Sequence, residues 1–284
     1  GLITGCAQWT RVYGIRKISV AIQKSAASTG GRRILLLGIE RNAQDGDRLL
    51  GAFNRPMPHW LDFFCYTMFV DRDGKFQLGM LSTSAFKPLA ASMGPMLKEE
   101  SFHLGTGSNG LRRVIKAGVI PLDMLQRYIN KWVSTAHDLF GVDASSSAHW
   151  SYVWGVKGRW DERKKLEAGI EVDKEVLNEE ARGHYHTEIV GEVQKLSGYL
   201  PEGAAPLIVP HENFNRDIGA FKKVNCTTEG DVFEGTQEEY EAYLSTILPS
   251  AQDEEDLKEL FKQDWVANKP MSARQIASGI GAKA

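Results

Sequence analysis

Glu99, Glu100 and His103 stand in "MLKEESFHLGTGSNG", residues 96–110, a stretch otherwise spaced like the face of a buried helix. On a helix, Glu100 and His103 lie about 60° apart around the axis and project to one side. A carboxylate and an imidazole placed so can bind one edge of a two-metal carboxylate centre. Carboxylate oxygens with imidazole suit Fe(II) or Mn(II). The motif is short, however, and a solvated helix face is its ordinary alternative.

Asp71 shifts that balance. Trp60, Phe64, Thr67, Asp71, Gly74, Leu78, Leu81 and Ala85 recur at alternating steps of four and three, a bundle seam. An isolated aspartate on such a seam is costly, and a cation would remove the cost. The rival is a surface turn at "DRDGK", residues 71–75, because Asp-Gly is a strong turn signal. A calcium loop starting there would need an acid where Ser82 stands, and its glycine comes too early. Since the seam continues on both sides, the helical reading is preferred.

Other candidates carry blander readings. Glu180, His184 and Glu188 share a helical face with His186 nearby, which allows a second metal site but suits a solvated charged face better. His211 and His149 suit local hydrogen bonding. Arg112, Arg113 and Lys116 could meet a phosphate-bearing substrate, or simply face water.

The positioning elements follow from the spacing. Pro58 precedes a helix, and Pro88 separates it from a second over about 89–117 whose seam includes Met93, Glu100, Gly107 and Leu111. A third spans 121–140 and ends at Gly141. Residues 143–160 read as loop and then aromatic, and 160–199 as charged and mostly helical. "IGAFKKV" and "GDVFEG" suggest a small hairpin about "NCTTEG", and Thr236-x-x-Glu239 and Ser250-x-x-Asp253 suggest capping boxes. The tail beyond 270 reads as mobile. The fold expected is mainly α: a ferritin-like helical bundle over 58–199, incomplete at the N-terminus, with a mixed α/β-hairpin extension over 200–284.

Composition narrows the class. A net charge of −2 gives no field for nucleic acid or an anionic membrane. The apolar run Trp60 to Val70 is too short to span a bilayer and contains Asp62. Cys6, Cys65 and Cys226 are scattered and read as reduced thiols of a cytoplasmic protein. The first 39 residues contain no acid, although 36 of the 284 residues are acidic, and segment 1–57 is therefore expected to be atypical.

"LLGAFNRPMPHWLDFFCYTMFVDRDGKFQLGMLSTSAFKPLA", "MLKEESFHLGTGSNGLRRVI" and "VPHENFNRDIGAF" together resemble the oxygenase component of benzoyl-CoA 2,3-epoxidase. That family is a ferritin-like di-iron oxygenase related to the catalytic subunit of phenylacetyl-CoA epoxidase. The resemblance runs over roughly residues 40–265. It implies Asp71, Glu100 and His103 as iron ligands, with two irons per complete site. It also implies O2-dependent epoxidation of benzoyl-CoA and an NADPH-dependent reductase partner carrying FAD and an iron–sulfur cluster. A complete site of this kind needs a second Glu-x-x-His and another carboxylate. Residues 1–57 offer only Glu40, Asp45 and Asp47 and no histidine. The expectation is therefore a C-terminal portion with half of the iron site. Two competitors are a non-catalytic acyl-CoA-binding subunit and a zinc hydrolase using Glu99, Glu100 and His103.

Overall fold

A computed structural model of the chain describes residues 55–171, 173, 176–217, 222 and 224–262. The expectations for the acid-free start, the tail beyond 270 and most of "IGAFKKV" lie outside the described residues.

The first seam forms one rod of three parts. α1 (Trp60–Cys65) runs into a π-helical turn (Tyr66–Val70) and then α2 (Asp71–Leu81). All five residues of the π turn are buried. Asp71 opens α2, so "DRDGK" is helix rather than surface turn. The rod stops at Leu81, short of the seam's expected end at Ala85. There the Ser82 and Thr83 hydroxyls donate to the carbonyls of Gly79 and Met80, at 2.6 and 2.8 Å, and Ala85 N–H turns to Gly155 O. Side-chain bonding of this kind competes with helix propagation.

α3 (Lys87–Ala117) is 31 residues long, roughly 46 Å. Pro88 lies in its first turn, and Gly118 ends it at φ 64°. Pro95 lies inside the helix on its exposed side, where the forfeited backbone bond can be made to water. α3 packs antiparallel to the rod. A Cβ on Gly110 would lie 2.2 Å from the Phe64 ring, and one on Gly107 would lie 2.5 Å from Met68 N. The absence of side chains at these two positions is what lets the helices approach.

α4 (Leu122–Asp138) is the centre of the bundle, buried on nearly every side from Tyr128 to Asp138. It holds α1 through Asp62 Oδ1, which accepts from Trp132 Nε1 at 2.9 Å and Lys131 Nζ at 2.7 Å. Tyr66 meets Trp132 edge-to-face at 5.3 Å. α5 (Ser146–Val153) buries no residue, and α6 (Glu162–Glu167) is brief. α7 (Asn178–Ser197) packs on α2 and α3. The mostly helical region expected over 160–199 thus contains two helices, and the described residues between them, 168–171, 173, 176 and 177, are not helical. α6 stops where Gly169, at φ 71°, takes the conformation that L side chains avoid.

Between α7 and α8 (Gln237–Ile247), the described residues of the expected hairpin include an antiparallel bridge, Cys226 with Val232, while most of its first strand lies outside the described residues. Gly230 turns it at φ 97°. Thr236 and Glu239 form the expected capping box. The chain divides at Pro249 into two compact units. In the second, α9 (Ala251–Lys262) opens with Ser250 N donating to Asp253 Oδ2 and Asp253 N to Ser250 Oγ, the reciprocal pairing foreseen from the sequence. Mainly helical architecture is borne out, and no strand occurs among the described residues.

Candidate metal centre

The rod and α3 bring Asp71, Glu100 and His103 together. One ligand atom from each lies within 4.8 Å of the others. His103 Nδ1 is 3.6 Å from Glu100 Oε2 and 3.7 Å from Asp71 Oδ2. Asp71 and Glu100 are buried, at 2% and 6% exposure. The His103 side chain keeps 24% of its surface.

The local sequence explains this convergence. The π turn ends one residue before Asp71, so it sets how far the chain has rotated when the carboxylate emerges. π turns recur at functional sites for such reasons. Phe64 meets Gly110, Thr67 meets Gly107, and Asp71 meets His103, so one antiparallel register runs the length of the contact. Glu100 and His103 share a face one helical turn apart.

Electrostatics point the same way. The His103 imidazole is held above its usual range chiefly by its close approach to the Glu100 carboxylate, against burial, and further by the charges of Asp71, Glu100 and Glu99. A site that draws positive charge onto an imidazole also favours a cation beside it. Two carboxylate oxygens and one imidazole nitrogen are a donor set for Fe(II) or Mn(II), so the residues fit a metal of that class. Glu99 contributes charge from the exposed side of α3 and is not brought into the three-residue group.

The other sequence candidates separate. Glu180 and His184 meet at 3.2 Å, but their third neighbour is Asp161 rather than Glu188. Glu188 instead receives Arg72 and Lys75. His186 Nδ1 lies 3.3 Å from Nε2 of the buried His137. His211 Nδ1 accepts Asn213 N–H at 3.2 Å, and His149 packs edge-on to Trp150. Arg112 and Lys116 lie over the ring of Tyr199.

Asp161 is a participant that sequence reasoning missed. It sits in a loop, far from Glu180 in the chain, and no periodicity marks it. Arg159 Nε and Lys165 Nζ each reach it at 2.5 Å, and Arg159 Nη2 reaches Glu180 at 3.0 Å. Burial raises the Asp161 carboxyl, but hydrogen bonds from Arg159 and Lys165 outweigh that and hold it well below the usual carboxylate range. Two cations already neutralise these two acids.

Comparison with known proteins bears on the first group. The sequence model of the family described as phenylacetic acid catabolic protein matches residues 37–207. Benzoyl-CoA oxygenase component B of Aromatoleum evansii is 35% identical over 235 residues, covering 68% of this chain and 50% of that protein. The chain spans about half the length of the curated relative it matches. Asp71, Glu100 and His103 all lie within the segment matched by the family.

Proposed function

The chain belongs to the phenylacetic acid catabolic protein family, and from that premise we propose that it is the metal-bearing part of an oxygenase acting on an aromatic acyl-CoA. The relative's printed name supports benzoyl-CoA as the substrate and a multicomponent system as the setting. In that setting a separate NADPH-dependent reductase, with flavin and an iron–sulfur cluster, delivers electrons, and the product is the ring 2,3-epoxide. The observation that carries the reading is the buried meeting of Asp71, Glu100 and His103 inside the family-matched segment.

Asp71 and Glu100 would hold the metal's charge, and His103 would offer Nδ1, the ring atom nearest both carboxylates. Bound iron would supply activation of O2 for transfer of one oxygen atom to the ring. The chain's own contribution is position and dryness. The π turn behind Asp71 is buried at every residue, which keeps bulk water from the carboxylate. The long α3 fixes Glu100 and His103 with respect to each other, so only its spacing from the rod can loosen the group. The proton favoured on His103 must leave Nδ1 when a cation arrives, as for any imidazole ligand.

The sequence contains one Glu-x-x-His, so the reading assigns this chain half of a two-metal ligand set. Anaerobic Fe(II) titration followed by air exposure tests it. One tightly held iron per chain, with a near-ultraviolet band after oxidation, is the expected result. Binding of benzoyl-CoA without iron would overturn the catalytic reading in favour of a ligand-binding subunit. Retention of zinc alone would favour hydrolytic chemistry.

A further inference from the structure

The π turn is the least regular part of the rod, and it sits directly before Asp71. Such a turn holds one residue more than the α-helix around it, and each helical residue rotates the chain by about 100°. If Tyr66–Val70 regularised, Asp71 would swing by about that angle away from Glu100 and His103. Asp71 itself closes the turn, its N–H donating to Tyr66 O.

Arg72, the next residue, reaches back into the turn. Its Nε donates to Met68 O at 3.2 Å. The far end of the guanidinium leaves the rod: Nη1 donates to Glu188 Oε1 on α7, and Nη2 lies 3.9 Å from Glu192 Oε2. Arg72 is buried, so its charge depends on these acids. Lys75, one turn further along α2, donates to the other oxygen of Glu188 at 2.6 Å. A guanidinium can serve Met68 and Glu188 together because its donors form a rigid planar fork, whereas an ammonium is a single point on a flexible stem.

We propose that Arg72 is a positioning residue for the metal group: by joining Met68 O to α7 it maintains the π turn, and through the turn it keeps Asp71 opposite Glu100 and His103. The inference rests on the metal reading given above. Charge alone predicts the opposite sign. A fixed cation one residue from Asp71 repels a metal ion, so deleting it should tighten binding if Coulomb energy were all that mattered. A loss of affinity therefore identifies the positional role.

The test uses the 284-residue chain. Mn(II) binding is read by paramagnetic resonance against a competing chelator, and hydrogen–deuterium exchange is followed over residues 66–72 without metal. Arg72→Gln and Arg72→Lys should each weaken Mn(II) binding by about 10-fold. Both should also speed exchange in the turn by about 10-fold. Arg72→Lys keeps the charge, so its failure to rescue separates the fork from the ion pair, and it carries the comparison if Arg72→Gln does not fold. Lys75→Gln removes a cation from the same Glu188 and should change either reading by less than about two-fold. Unchanged or tighter Mn(II) binding in the Arg72 variants overturns the positioning role and leaves the metal reading standing, even where exchange in the turn is faster. An equal loss with Lys75→Gln overturns it too. No Mn(II) binding by the wild-type chain overturns the metal reading, and the positioning role with it.

Discussion

Asp71–Glu100–His103 and Asp161–Glu180–His184 contain the same side-chain types, two carboxylates and one imidazole, within the same reach. Their surroundings differ. The first is built from facing positions of two packed helices, and an imidazole stands between its carboxylates. The second gathers around a loop residue, with Arg159 and Lys165 inserted between the acids. Ligand composition alone does not identify a metal site. A carboxylate pair that the protein already neutralises with fixed cations gains little from another cation, while the field that raises the imidazole in the first group would also attract a metal, which has to displace that proton.

The sharpest way to break the contrast is to neutralise one acid in each group. Glu100→Gln should lower Fe(II) or Mn(II) affinity by at least about 100-fold, since loss of even supporting contacts commonly costs 10–100-fold. Asp161→Asn should leave that affinity unchanged. Parallel titrations with a competing chelator measure both. Equal losses in the two variants would erase the distinction drawn here.

Asp161→Asn should act on stability instead, costing about 1.5–3 kcal/mol because charged hydrogen bonds from Arg159 and Lys165 are lost. The sign of its pH dependence follows from the depressed carboxyl. A folded pKa below the unfolded one contributes stability above the unfolded value and loses it as pH falls toward the folded value. The wild-type advantage should thus be full above about pH 5 and shrink on acidification below about pH 4. Urea melts of both proteins across that range read the difference directly. An advantage that grows on acidification would contradict the ion-pair account.

Much of the first group was legible because helices convert spacing into direction. Glu100 and His103 are three apart, and the seam through Asp71 continued past the Asp-Gly that suggested a turn. The π turn was not legible. Its residues Tyr66 to Val70 are apolar or small in the same order an α-helix would use, and the wider turn shows only in backbone geometry. Asp161 was invisible for a different reason. Its partners are fixed by how the loop before α6 folds back on α7, a long-range event that carries no local period. The break between α6 and α7 escaped notice because charged residues suit helix and extended surface chain alike.

Helix spacing offers a gentler probe of the first group. A Cβ at Gly107 would stand 2.5 Å from Met68 N and 2.7 Å from Thr67 Oγ1, so Gly107→Ala must push α3 away from the π turn. Backbone cannot yield as a flexible side chain would. The expected cost is about 1–3 kcal/mol of stability. Metal affinity should fall about 10-fold as Glu100 and His103 move from Asp71. Gly105→Ala, two residues away with nothing within 4 Å, should instead gain about 0.5–1 kcal/mol from reduced chain entropy. If both alanines behaved alike, helix propensity rather than interhelical distance would govern the site.

The smallest expected effect is at His184. Its side chain is 47% exposed and meets Glu180 Oε1 at 3.2 Å, while Arg159 already contacts the same carboxylate. His184→Asn should change stability by no more than about 0.5 kcal/mol and leave metal stoichiometry untouched. The null result is informative because the corresponding change at His103 removes the only imidazole of its group. A second metal lost with His184 would mean that Arg159 and Lys165 can be displaced by a cation. The ranking of the two groups would then have to rest on burial alone.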